Sequence, residues 1–208
     1  IEVDDRFASS PNFTVTPAIR AQLLTLGVPG ADSLTSVSYF TNSFNTRTRG
    51  LDAVGSWKTH LADGDLTLTA AYNWNDTKVT RSKLTEVSKL ARINIEDGLP
   101  EHTGNVAATY AYGRFEGTAR VRYYGDWTDA QSQSSADLIQ TFGARTFVDL
   151  SASAAITEQV KVTIGAENIF NTYPDEATFQ ASRGLIYSRN AVYDTDGGLY
   201  YVRLNAKF

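Results

Sequence analysis

Cysteine and methionine are absent from the 208-residue chain, and histidine occurs twice. Without cysteine there is no disulfide framework, no thiolate metal site and no cysteine nucleophile. His60 and His102 fall near opposite ends of expected strands, too few to hold a zinc ion without further ligands. No apolar run approaches the 18 residues that mark a membrane-spanning helix, which leaves membrane-spanning strands untouched. Positive charge is not in excess either. A formal net charge of −4 argues against the basic surface of a nucleic-acid binder. There is no Gly-x-Ser-x-Gly elbow and no phosphate-cradling glycine loop. No enzyme, cofactor or metal is therefore expected. Asp194-Thr195-Asp196-Gly197-Gly198 starts like a calcium loop but lacks the later carboxylate, and reads as a turn. The chain also lacks a start methionine and a leader. Ile1-Glu2-Val3-Asp4-Asp5-Arg6-Phe7 is already patterned as a strand, so a piece of a longer or processed protein is expected.

What is present is aromatic and alternating. Eleven Tyr and ten Phe accompany only 20% charged residues. In the last ten residues, Tyr200, Val202, Leu204, Ala206 and Phe208 share one face of a strand, because successive side chains point to opposite sides. Tyr201, Arg203, Asn205 and Lys207 share the other. An apolar face ending on a terminal aromatic suits a barrel strand that meets lipid.

Read in order, the chain opens with a strand and a long polar connection to Ser36, with a short helix over Pro17–Leu26. Val37–Leu61 follows as one long strand, roughly 80 Å if fully extended. Ala62-Asp63-Gly64-Asp65 is a tight turn, with Gly64 expected to supply positive φ. Leu66–Thr80 returns, 81–101 is a second long loop, and Thr103–Tyr112 with Phe115–Tyr124 form a hairpin about Gly113-Arg114. A third long loop spans 125–145. Phe147–Ile156 and Val160–Phe170 are joined by a short turn, and 171–198 is the fourth long loop. Connections thus alternate between about 2–4 and about 19–29 residues, where hairpins use 2–5. Every long connection joins the same strand ends, the asymmetry of barrels with short periplasmic turns and long extracellular loops.

Charge obeys the same alternation. Asp52, Lys58, Glu116, Arg120, Arg122, Asp149, Lys161, Glu167, Arg203 and Lys207 all fall on the polar parity. Lipid enforces that segregation, since a midplane Lys or Arg on the outer face costs about 2–4 kcal/mol. A soluble sandwich or lipocalin-like barrel also alternates, but its solvent face normally carries more Lys and Glu than the Thr, Ser and Asn found here. A self-contained eight-stranded outer-membrane barrel with a structural, adhesive or passive-pore role is the nearest alternative.

Gly165-Ala166-Glu167-Asn168-Ile169-Phe170-Asn171-Thr172-Tyr173, followed by a long loop and a last strand ending in Phe208, resembles the C-terminus of TonB-dependent outer-membrane receptors. Tyr39-Phe40-Thr41-Asn42, Thr46-Arg47-Thr48-Arg49-Gly50-Leu51-Asp52, Asp4-Asp5-Arg6-Phe7 and Phe147-Val148-Asp149-Leu150-Ser151 fit the same family. The resemblance spans essentially the whole chain. It implies an all-β fold: an antiparallel transmembrane β-barrel portion, about eight strands of a 22-stranded barrel in a Gram-negative outer membrane. Residues 1–208 would be the C-terminal barrel part, without the plug. The implied function is energy-coupled uptake of a scarce ligand, foremost a ferric siderophore, with haem, cobalamin and oligosaccharide as alternatives. Implied partners are outer-membrane lipid, the receptor's own plug and remaining strands, TonB-ExbB-ExbD, and the barrel assembly machinery.

Three sets of residues are singled out. Glu116, Arg120, Arg122, Asp149, Lys161, Glu167, Arg203 and Lys207 are expected to face the lumen, mainly as cross-strand ion pairs, with Glu167 and Arg203 in diagonal reach. Tyr200, Val202, Leu204, Ala206 and Phe208 form the ridge that resembles the assembly signal. In the long loops, Trp127, Phe179, Arg183, Tyr187, Arg189 and Tyr193 are candidates to grip an anionic chelate or stack on a sugar, as loops on rigid scaffolds commonly bind.

Overall fold

The computed structural model describes residues 1–10, 12–82, 87–133, 136–180 and 183–207. Phe208, part of the expected assembly ridge, lies outside them. In chain order the elements are β1 (Glu2–Ser9), β2 (Phe13–Thr14), α1 (Pro17–Thr25), β3 (Ser36–Val37), β4 (Phe40–Leu61), β5 (Gly64–Ser82) and α2 (Lys89–Glu96). Then come β6 (His102–Tyr112), β7 (Phe115–Tyr124), β8 (Trp127–Gln133), β9 (Ala136–Phe142), β10 (Arg145–Ala155), β11 (Val160–Glu167) and β12 (Leu199–Ala206). Eight strands form one antiparallel sheet in the order β1-β4-β5-β6-β7-β10-β11-β12, and two-stranded ribbons β2-β3 and β8-β9 lie in the long connections. The sheet is open, with β1 and β12 as its edges. Neither helix is long and apolar enough to cross a membrane.

Register explains why the alternation works. Across β4 to β10, Ser56 pairs with Thr69, Thr69 with Ala107, Ala107 with Arg120 and Arg120 with Asp149. One step along, Trp57 pairs with Leu68, Leu68 with Ala108, Ala108 with Ala119, Ala119 with Leu150, Leu150 with Ala166 and Ala166 with Tyr200. Directly opposed residues share a face, so one face of the sheet is continuously polar and the other continuously apolar. The apolar face is not a core: Ile164 is 57% exposed, Val202 75% and Leu204 67%. A sheet that leaves such side chains bare needs an apolar solvent on that side.

Three local expectations are corrected. In the β4-β5 turn the left-handed residue is Ala62 (φ 53°), not Gly64. Gly64 instead opens β5 tightly packed, where a Cβ would lie 2.6 Å from the Tyr110 ring. Glu167 pairs with Leu199 while Arg203 pairs with Thr163. The two charges share a face but stand four residues apart along the strand, beyond diagonal reach. Arg203 instead lies over the Tyr201 ring at 5.5 Å, and that ring covers Gly165, where a Cβ would meet it at 2.4 Å. Finally, the long loops contain structure that composition did not suggest. Residues 125–145 hold the β8-β9 ribbon and 81–101 hold α2, capped by Ser88 Oγ, which accepts from the Ala91 N–H at 3.1 Å.

The large buried side chains sit at the loop end rather than between strands. Trp127 and Phe142 stack at 4.6 Å and pack with Ala177, joining the third and fourth long connections.

Candidate ligand-facing surface

The densest charge on the polar face is a three-way clamp. Asp149 accepts from Arg122 Nε at 2.8 Å and Nη2 at 2.9 Å, a bidentate fork, and from Arg120 Nε at 2.9 Å. Its Oδ1 also accepts the backbone N–H of Asn168 at 2.9 Å. Asn168 is left-handed (φ 49°), as is Asn171 (φ 52°), a conformation that asparagine tolerates better than most residues. The Asn168 amide donates to Thr172 O at 2.8 Å and accepts from Thr172 N–H at 2.9 Å. The Asn-Ile-Phe-Asn tetrapeptide is therefore a corner: it ends β11 and is tied to the wall through Asp149.

Lower on the same face, Lys161 Nζ lies 3.0 Å from Glu116 Oε1. Glu167 and Arg203 share this face through the β11-β12 register. Lys207 follows β12, and its backbone N–H donates to Gln159 O. Near the loop end, Asn73 donates to Asp52 at 2.6 Å. A concavity of about 300 Å³ there is lined by Asp52, Asn73, Asn105, Arg120, Arg122 and Tyr124, among others. Two guanidiniums share the Asp149 carboxylate and Asp52 lines the same concavity, so the patch is near neutral and rich in hydrogen-bonding groups, suited to a polar guest. No group of three or more His, Asp or Glu is placed to hold a metal among the described residues.

The loop candidates divide into two groups. Trp127, Phe179 and Tyr193 are buried. Trp127 Nε1 donates to Tyr193 Oη at 3.3 Å, and Tyr193 meets Tyr124 at 5.4 Å and Phe147 at 5.5 Å. Tyr124 and Phe147 lie on the polar parity, next to Arg145 and Arg122 in register, so the fourth connection folds over that face. Tyr187 is half-buried and stacks on Tyr173 at 6.0 Å. Arg183 and Arg189 are exposed. The residues that hold these loops together, Asp129, Gln180, Ser188, Asn190 and Asn94, carried no signal in the sequence beyond being polar. Their roles come from contacts between connections far apart in the chain.

An open antiparallel sheet with one bare apolar face, one ion-paired polar face and long connections at one end only is a portion of an outer-membrane β-barrel wall. The profile of the family described as TonB dependent receptor-like, beta-barrel, matches residues 1–169, and the chain belongs to that family. Its place is accordingly the outer membrane of a Gram-negative bacterium. Among solved structures, the outer membrane transporter YddB from Escherichia coli is similar over 100% of this chain and 29% of its own, with a TM-score of 0.61 at 8% identity. The FrpB iron transporter from Neisseria meningitidis is similar over 100% and 28%, with 0.58 at 13%. The ferripyoverdine receptor of the Pseudomonas aeruginosa outer membrane is similar over 83% and 20%, with 0.52 at 16%. The chain thus spans under a third of the length of each. No curated protein matches it significantly.

Proposed function

We propose that the chain is the C-terminal part of the barrel wall of a TonB-dependent receptor that takes up a scarce ligand, foremost a ferric siderophore. The observation that carries this reading is the sheet itself: eight strands, open at both edges, with polar and apolar faces segregated in register from the lower half of β4 to β12. Unpaired strand edges are not tolerated against hydrocarbon, which favours completion by further strands over a self-contained eight-stranded pore. In this reading the polar face looks into the lumen toward a plug, and the long connections face outward and capture ligand. The polar loop-end patch about Arg120 and Arg122, and the exposed Arg183 and Arg189 with Tyr187 in the last long connection, would offer cations and an aromatic ring to an anionic, partly aromatic chelate. TonB-ExbB-ExbD would supply the energy, and the ridge of Tyr200, Val202, Leu204 and Ala206 would be read during assembly.

The test is uptake of radiolabelled iron by the source bacterium, starved of iron and offered a panel of ferric hydroxamate and catecholate chelates. Loss of uptake of at least one chelate, both on deleting the gene and on deleting TonB, is expected. Passage of small solutes through the purified full-length protein in vesicles, with iron uptake unchanged by either deletion, would instead favour the passive pore.

A further inference from the structure

Three of the four long connections are tied to one another, and a buried carboxylate sits where two of them meet. Asp129 is 2% exposed. Its Oδ2 accepts from Ser188 Oγ at 2.7 Å, Gln131 Nε2 at 3.2 Å and Gln180 Nε2 at 3.3 Å, and its Oδ1 accepts from Asn190 Nδ2 at 3.1 Å. Among the described residues no cation pairs with it. A buried carboxylate that lacks a counter-ion is tolerated only when fixed donors surround it. Three of its four donors come from the β11-β12 connection, so β8 and that connection need each other.

Further ties run along the same seam. Gln140 of β9 donates to Glu176 O at 2.7 Å and accepts from the Thr178 N–H at 3.0 Å. Asp175 takes the Gly143 N–H at 2.8 Å and pairs with Arg145. On the other side, Asn94 of α2 acts as a strand neighbour to β8: it donates to Ala130 O at 2.7 Å and accepts from Ala130 N–H at 2.9 Å. Thr128 N–H reaches Asp97 O at 2.7 Å. Then α2 returns to the ribbon, where Glu96 accepts from Val79 N–H at 2.8 Å and Arg92 donates to Val79 O at 3.1 Å. The first connection is different. Among the described residues, the contacts of its β2, α1 and β3 include Phe13 on Tyr39 and Arg20 on Leu34 O, both local to that connection.

We propose that Asp129 is the positioning residue that locks the β7-β10 and β11-β12 connections into one body, which the β5-β6 connection joins separately through Asn94 and Asp97. That body presents Arg183, Tyr187 and Arg189 as a single pre-set surface. What the surface receives rests on the receptor reading above; the coupling itself does not.

Hydrogen exchange of the full-length receptor in vesicles, read by peptide mass spectrometry, tests it without any ligand. Asp129→Asn keeps the shape but sets an NH2 donor in place of one carboxylate oxygen, facing groups that are themselves donors. Amides of residues 127–142 and 175–193 are expected to exchange together at least about tenfold faster, while β7 and β10 keep their protection. Ser188→Ala, the milder change should Asp129→Asn fail to assemble, is expected to give about threefold on the same peptides. Acceleration confined to 127–142, or unchanged exchange in both variants, would overturn the proposal. Coupled acceleration in a protein that takes up no ferric chelate would leave it standing and sink the receptor reading instead.

Discussion

The β4-β5 ribbon and the β7-β10 wall both rise to the loop end of the molecule, by different means. Past its last pairing with β6, at Trp74 and His102, β5 continues eight residues to Ser82 beside β4, roughly 26 Å of strand. That extension is held mainly by backbone ladders, β5 on one side of β4 and β1 on the other, with α2 tied on at Val79; the β4-β5 ladder slips register once, between Asn45 and Thr46. Its ion pair Arg47–Glu2 lies in solvent. The β7-β10 wall stops at Tyr124 and Arg145 and gains height from folded loops packed by aromatic rings. The ribbon's stability comes mostly from repeated backbone pairing, whereas the wall's loop end depends on a few side chains that bring distant connections together. Single substitutions should therefore matter unequally in the two regions.

The largest contrast concerns the two faces. Val54 on the ribbon is 84% exposed and Ile164 on β11 is 57% exposed, yet only Ile164 lies on the apolar parity. Ile164→Arg should lower the stability of the full-length barrel in lipid vesicles by about 2–4 kcal/mol, read by guanidinium unfolding. Val54→Arg should stay within about 0.5 kcal/mol. Equal losses would erase the distinction between faces. Next comes Asp149→Ala, which strands two guanidiniums and the Asn168 N–H. A loss of about 2–3 kcal/mol is expected in the same assay, reduced from a fully buried pair because Arg120 is partly in solvent. Gly165→Val, which displaces the Tyr201 ring, should cost about 1 kcal/mol. Smallest is Glu2→Ala on the ribbon: the exposed Arg47 pair predicts less than about 0.5 kcal/mol, and a larger loss would show that the ribbon also depends on side chains.

The ribbon and the main strands were legible because a period of two is written into every residue pair. The opposed Ser56, Thr69, Ala107, Arg120 and Asp149 and the bare Ile164, Val202 and Leu204 follow from it directly. The clamp was legible only in part. Parity brought Arg120, Arg122 and Asp149 to one face, but that Asp149 also takes the Asn168 N–H depends on a left-handed corner. The Glu167–Arg203 expectation failed because a face assignment does not give register, and the β11-β12 register sets them four residues apart. The loop body was least legible. Ser88 ahead of Lys89–Glu96 was a usable helix-start signal, but a Gln- and Ser-rich stretch becomes the β8-β9 ribbon only because Trp127 and Asp129 find partners 51 to 66 residues away.

The corner at Asn168–Asn171 closes from both directions: Asn168 is hooked to the wall, and Asn171 Oδ1 receives the Gly198 N–H at 2.9 Å just before β12 begins. Whatever is spliced between those two points leaves and re-enters the barrel through the same cinched neck. A change of length between them would therefore be felt by the β8-β9 ribbon, which Gln180, Ser188 and Asn190 hold, before it reached the pairing of the staves beneath.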